Sequence, residues 1–238
     1  MKKKIKIKGV IISNSQKWIY DWFEIDATCP NDVSKVLDTL NNEEVEIEIN
    51  SGGGSVYAGS EIYTALKDYK GKKTVKVVGI AASAASVIAM AGDKVLISPT
   101  AQIMIHNVRS GAEGDYRDLE HEAEVIKNYN STIANAYSLK TGIKKEDLLA
   151  MMDKETWLTP ERALELKFAD EIMFQEENSF VASVRNDFKL PQEVINKIRN
   201  TIKNPNVDKN NNSDFLIQKS KAKLNLLKLT RRDEGYEI

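Results

Sequence analysis

At 238 residues, 42% hydrophobic and 29% charged, the chain can hold one sizeable α/β core plus an appendage. Its formal net charge of −1 gives no reason to expect nucleic acid or a membrane surface as a partner. The single cysteine, Cys29, excludes an internal disulfide and fits a reducing, cytoplasmic compartment.

From the N-terminus, Met1 to Lys8 is charged like the start of a signal peptide. The apolar stretch that follows is short and interrupted by Asn14 and Gln16, so secretion is not expected. Lys4 to Ser13 alternates and then turns apolar, which predicts a strand. Pro30-Asn31-Asp32 opens an amphipathic helix carrying Val33, Val36, Leu37 and Leu40, with Cys29 as a small residue at its entrance. Val45 to Ile49 alternates strictly and predicts a second strand, which Ser51-Gly52-Gly53-Gly54-Ser55 is expected to break. Helical spacing returns from Val56 to Tyr69. Further strands are predicted over Thr74 to Val78, Lys94 to Ile97 and Gln102 to Ile105.

Val77 to Gly92 is the longest uncharged run. It falls short of the roughly 18 residues of a spanning helix and reads as a buried strand feeding a buried helix. Strands alternating with helices imply an α/β fold with a largely parallel sheet.

From Asp115, Tyr116, Leu119, Ala123, Ile126, Asn130, Ile133 and Tyr137 follow a three-four rhythm. They predict a long helix with one narrow seam, suited equally to its own domain or to a neighbouring subunit; Thr141-Gly142 ends it. Lys145 to Met152 predicts a short helix, and Trp157, Leu158 and Phe168 are expected in the core. After Phe174 polar residues dominate. Asn204-Pro205-Asn206 and Lys209 to Asn212 read as linker, and Phe215 to Leu229 as a basic amphipathic helix. The expected division is a folded domain over residues 1–174 and a poorly ordered tail over 175–238.

The chemistry concentrates around Ser83, flanked on both sides by alanines in Gly79 to Ala85. Small neighbours let substrate approach, and a hydroxyl at a helix start gains from the partial positive charge there. A serine nucleophile needs a base, a group that orients the base, and donors for the developing oxyanion. Of the two histidines, His106 at a strand end is the better base; His121 sits between Glu120 and Glu122 on a solvated helix. The N–H groups of Gly54 and Ala84 suit the oxyanion. Asp153 and Glu155 both stand as the orienting carboxylate, and spacing does not choose between them. Asp93 and Asp170 read as turn or cap residues, and no metal or cofactor is called for.

Together, Ile49 to Gly54, Gly79 to Ala85, Met104-Ile105-His106, Glu155 to Thr159, Arg162-Ala163 and Ala169-Asp170 resemble ClpP, the proteolytic subunit of Clp proteases. The resemblance runs roughly from Ile47 to Ile172. It implies the ClpP/crotonase-like fold of repeated β-β-α units with a long protruding helix, and a homo-oligomer. It also implies Ser83 as nucleophile, His106 as base, and Gly54 with Ala84 as the oxyanion hole. The third triad position falls on Glu155 where the family usually has aspartate, which leaves Asp153 open.

Gly52 stands where the family usually has proline, and no ATPase-docking feature is visible. The combination of Asp26-Ala27-Thr28, Ser51-Gly52-Gly53-Gly54, Glu155-Thr156-Trp157 and a basic tail such as Leu216 to Leu224 is similar to the ClpP-like head maturation proteases of tailed phages. That likeness implies an ATP-independent endopeptidase acting on capsid or scaffold protein in the bacterial host, within the assembling prohead. Competing expectations are a ClpP-type housekeeping peptidase working with an ATPase, a crotonase-like acyl-CoA enzyme, and a non-catalytic assembly protein.

Overall fold

A computed structural model describes residues 3–175, all within one compact unit; the tail expected from 175 onward lies almost wholly outside the described residues. In chain order the elements are β1 (Lys3–Ile11), α1 (Lys17–Trp22), β2 (Ala27–Thr28), α2 (Pro30–Leu37), β3 (Val45–Gly54), α3 (Val56–Asp68), β4 (Lys73–Ala82) and α4 (Ala84–Ala89). There follow β5 (Lys94–Ile97), β6 (Gln102–Ile105), α5 (Tyr116–Thr141), α6 (Lys145–Asp153), β7 (Thr156–Leu158), α7 (Pro160–Glu165) and β8 (Glu171–Ile172).

The sheet runs β2-β1-β3-β4-β5-β8, and every pairing along that path is parallel. Alternation decides which face is buried. Ile5, Ile7, Ile47, Ile49, Val75 and Val77 point into the core, where each contributes about 1.5–3 kcal/mol. Lys4, Glu46, Glu48 and Lys76 point the other way and form ion pairs across the strands, where solvent screens them and they add little.

Strand β4 forks. Its first half, Thr74 to Val77, pairs with β5, and its last residues, Ile80 to Ala82, pair with β6. Strand β6 in turn pairs antiparallel with β7. The fork separates the two strands that follow β4 and places the ends of β4 and β6 side by side.

Among the departures from the sequence expectation, three bear on the site and its surroundings. The glycine run does not break β3: Gly53 and Gly54 remain opposite Val10 and Ile11, because β1 supplies backbone partners that need no side chain. A Cβ on Gly54 would lie 2.1 Å from the Ile11 carbonyl oxygen at φ +152°, so only glycine passes there. Trp157 is 48% exposed rather than in the core, while Leu158 and Phe168 are buried as expected. The three-residue β7 turns alternate side chains to opposite faces, and Leu158 takes the inner one. Finally, the seam of α5 divides: Tyr137 is 1% exposed, whereas Tyr116 is 70% exposed at the other end. Asp115 caps the start of this helix by accepting from Arg117 N–H, and Gly142 ends it in the left-handed conformation.

Candidate active site

Ser83 occupies the sharp turn from β4 into α4, with φ 55° and ψ −126°. A non-glycine residue at this backbone conformation carries strain and is held there by its surroundings. Its N–H donates to the Met104 carbonyl at 3.0 Å. The turn also requires glycine opposite, since a Cβ on Gly53 would lie 2.7 Å from the Ser83 Cβ. Ser86, one turn on, is fully buried. Its hydroxyl donates to the Ser83 carbonyl at 2.6 Å and meets the Tyr137 hydroxyl at 2.8 Å, a link from α5 to the turn that no sequence pattern announces.

Register explains how the other groups arrive. The parallel ladder sets Ala82 beside Met104, so the residues just past both strand ends converge. His106 Nε2 lies 2.8 Å from Ser83 Oγ. The antiparallel ladder sets Ile105 opposite Thr156; carried one step further, it brings Glu155 across from His106. Asp153 stands elsewhere: it accepts from the Asn107 amide at 2.7 Å. His121 is exposed on α5.

With Nε2 facing the serine hydroxyl, the imidazole proton belongs on Nδ1. That nitrogen is buried and makes no hydrogen bond. Glu155 Oε2 is 3.9 Å away, beyond hydrogen-bond range, and the same oxygen accepts from Arg109 Nη2 at 2.6 Å. Burial pushes the His106 pKa below its ordinary value, the Arg109 charge pushes it the same way, and Glu155 pulls it up. At neutral pH the imidazole is therefore in its basic form, as a proton acceptor must be.

The Ala84 N–H opens α4 and has no partner within the helix; both Ala84 and Gly54 line the cavity beside Ser83. The cavity holds about 510 Å³ and is walled by Val56, Val87, Met104, Val125 and Ile126. Tyr57 and Tyr129 meet edge to face across it at 5.5 Å between ring centres. No group of three or more acidic, histidine or cysteine residues among the described residues could hold a metal ion. No helix among them is long and apolar enough to cross a membrane.

Asp93 and Asp170 tie strand ends: Asp93 accepts from Lys73 N–H at 2.8 Å, and Asp170 from Val95 N–H at 2.6 Å. Arg109, Asn107, Ser86 and Tyr137 were missed from the sequence. Only Arg109 left a signal there, as a cation three residues after the candidate base.

A strained serine turn with an imidazole at hydrogen-bond distance over an apolar cavity is the arrangement of a serine hydrolase. The family model described as Clp protease matches residues 10–176, and the chain belongs to the Clp protease family. It is 36% identical to the ATP-dependent Clp protease proteolytic subunit of Deinococcus radiodurans, over 59% of this chain and 70% of that one. With proteolytic subunit 2 of Tropheryma whipplei it shares 29% identity, over 62% and 86% of the two chains. Among solved structures, a point mutant of ClpP1 from Listeria monocytogenes superposes with a TM-score of 0.60 at 27% identity, covering 72% of this chain and 91% of that one. The fold is the ClpP-like α/β fold, and the chain is a peptidase of ClpP type.

Proposed function

We propose that the chain is a serine endopeptidase in which Ser83 is the nucleophile, His106 the base, and Gly54 with Ala84 the oxyanion donors. The observation that carries this reading is the 2.8 Å contact between Ser83 Oγ and His106 Nε2. His106 takes the Ser83 proton as Oγ attacks the scissile carbonyl. The two N–H groups receive the oxygen as it gains charge, and collapse expels the amine with the proton returned by His106. Water, activated by the same imidazole, then releases the acid from Ser83. A crotonase-like acyl-CoA enzyme or a non-catalytic assembly protein would leave this contact without a purpose.

Glu155 is the proposed third member, favoured over Asp153 by register and by its pull on the His106 pKa. Glu155→Gln is expected to lower peptidase turnover by about tenfold or more, and Asp153→Asn by less than about threefold, on the reasoning that only the former removes a carboxylate that can reach the imidazole. Steady-state rates of the two variants decide it; the reverse order would reassign the role.

The narrower reading is an ATP-independent enzyme, assembled as a homo-oligomer and processing capsid or scaffold protein in the prohead. Gly52, the absence of recognisable docking features in the sequence and the basic tail support it. The names of the relatives favour a second reading, a peptidase serving an ATPase. Digestion of an unfolded model protein by the purified full chain without nucleotide supports the first, and strict dependence on an added Clp ATPase the second.

Residues 1–174 are proposed as the peptidase domain and 175–238 as an appendage that docks the enzyme to its substrate or is itself trimmed. A chain truncated after Phe174 is expected to stay soluble and to label at Ser83 with a serine-directed phosphonate. Loss of either on truncation would make the tail part of the core.

A further inference from the structure

The imidazole of His106 is half of an incomplete relay. Its Nδ1 is buried without a partner, yet a carboxylate oxygen stands 3.9 Å away. That oxygen is engaged by Arg109 at 2.6 Å. A buried polar atom left unpaired is costly, whereas the pair that deprives it of a partner is exposed, Arg109 at 76% and Glu155 at 40% of the side chain, and such pairs are weak. Both demands fall on Glu155, and because the exposed pair with Arg109 is weak, a small change moves the carboxylate from Arg109 to His106.

Resting on the endopeptidase reading above, we infer that Arg109 is a positioning residue which holds Glu155 off His106. The site is completed when Glu155 exchanges Arg109 for the Nδ1–H of His106. The exchange asks little of the fold. Arg109 lies in the irregular segment joining β6 to α5, and Glu155 lies between α6 and β7 at φ 47°; neither belongs to a regular element. No covalent bond changes, and the proton stays on Nδ1, where it gains an acceptor. A ligand or partner that draws Arg109 away, or salt that screens it, raises the fraction of molecules with a complete relay.

The groups around the imidazole are few. Ser83 faces it from the β4–α4 turn and Glu155 from the approach to β7. Arg109 acts on it from its own segment, Asp153 is engaged by Asn107, and Glu122, Tyr129 and Tyr137 of α5 with Tyr57 of α3 line the same cavity. Arg109 lowers the affinity of His106 for a proton and Glu155 raises it. Removing Arg109 therefore moves the acid limb of the rate profile to higher pH.

The test uses the full chain and a biotinylated peptidyl diphenyl phosphonate, reading the second-order rate of Ser83 labelling. Arg109→Ala is expected to label roughly two- to fivefold faster than wild type, the range that an exposed ion pair supports when it sets the competent fraction. Arg109→Lys keeps the charge and should fall short of that gain. Salt at about 1 M, where screening acts over roughly 3 Å, should raise the wild-type rate towards that of Arg109→Ala and leave the variant unmoved. Glu155→Gln should cost more in the Arg109→Ala background than in wild type, because the gain passes through Glu155. An Arg109→Ala chain that labels no faster, or whose gain survives Glu155→Gln, overturns the inference while labelling of wild type keeps the endopeptidase reading intact. No labelling of Ser83 in any variant overturns both.

Discussion

Ser83→Ala should abolish peptidase activity, by at least about 10⁴-fold, while the protein keeps its fold. The substitution removes one hydroxyl whose described contact is the imidazole of His106; the backbone bonds that hold the turn, Ser83 N–H to Met104 and the Ser83 carbonyl to Ser86, do not involve it. Ser86→Ala is the informative companion. In the sequence Ser86 reads as a dispensable hydroxyl one helical turn past Ser83, but its loss would strip the Tyr137 hydroxyl and the Ser83 carbonyl of a buried partner. A stability loss of about 1–3 kcal/mol is expected instead, with residual activity in the fraction that stays folded. Thermal melting and peptide hydrolysis on the same samples separate the two. Equal loss of activity at equal loss of stability would make Ser83 a packing residue and remove it from the chemistry.

His106→Ala should be as damaging as Ser83→Ala, because a nucleophile and its base act as one unit and either loss forfeits most of the rate. His121→Ala should stay within about twofold of wild type, since His121 is exposed on α5 and exposed substitutions away from a site are usually close to neutral. The double variant Ser83→Ala/His106→Ala should be no worse than either single one. Additive losses, or activity that follows His121, would disprove the pairing. The pH profile of wild type gives a second check. Activity needs neutral His106, so it falls as pH drops through the His106 pKa, and burial with Arg109 sets that limb below the ordinary histidine range.

The parts of this site that were legible in the sequence share a cause. Ser83 and His106 are marked by local composition: an alanine-rich run around one hydroxyl, and only two histidines in the chain. Strands β5 and β6 match their predicted bounds, because each is a short apolar run, Val95-Leu96-Ile97 and Ile103-Met104-Ile105, set off by polar residues. What was missed depends on partners distant in sequence. Residues Thr156 to Leu158 are too few to show a period and become a strand only because β6 is there to pair with. The glycines of β3 look like a break until β1 lies beside them. Arg109 meets Glu155 across 46 residues, a separation over which no pattern in the chain announces contact. The choice between Asp153 and Glu155 likewise turns on a register, and register is a property of two strands.

The bond between Ser86 and Tyr137 gives the enzyme a scaffold that ignores acidity. Burial drives the Tyr137 phenol far above its ordinary pKa, so the phenol stays protonated across the neutral and acid range, and serine hydroxyls do not titrate. The struts that fix the nucleophile's backbone, Tyr137 to Ser86 to the Ser83 carbonyl, are therefore all neutral. The group that takes up a proton beside the nucleophile is on its other flank, at the His106 imidazole, and acid can silence this base without loosening the serine it serves.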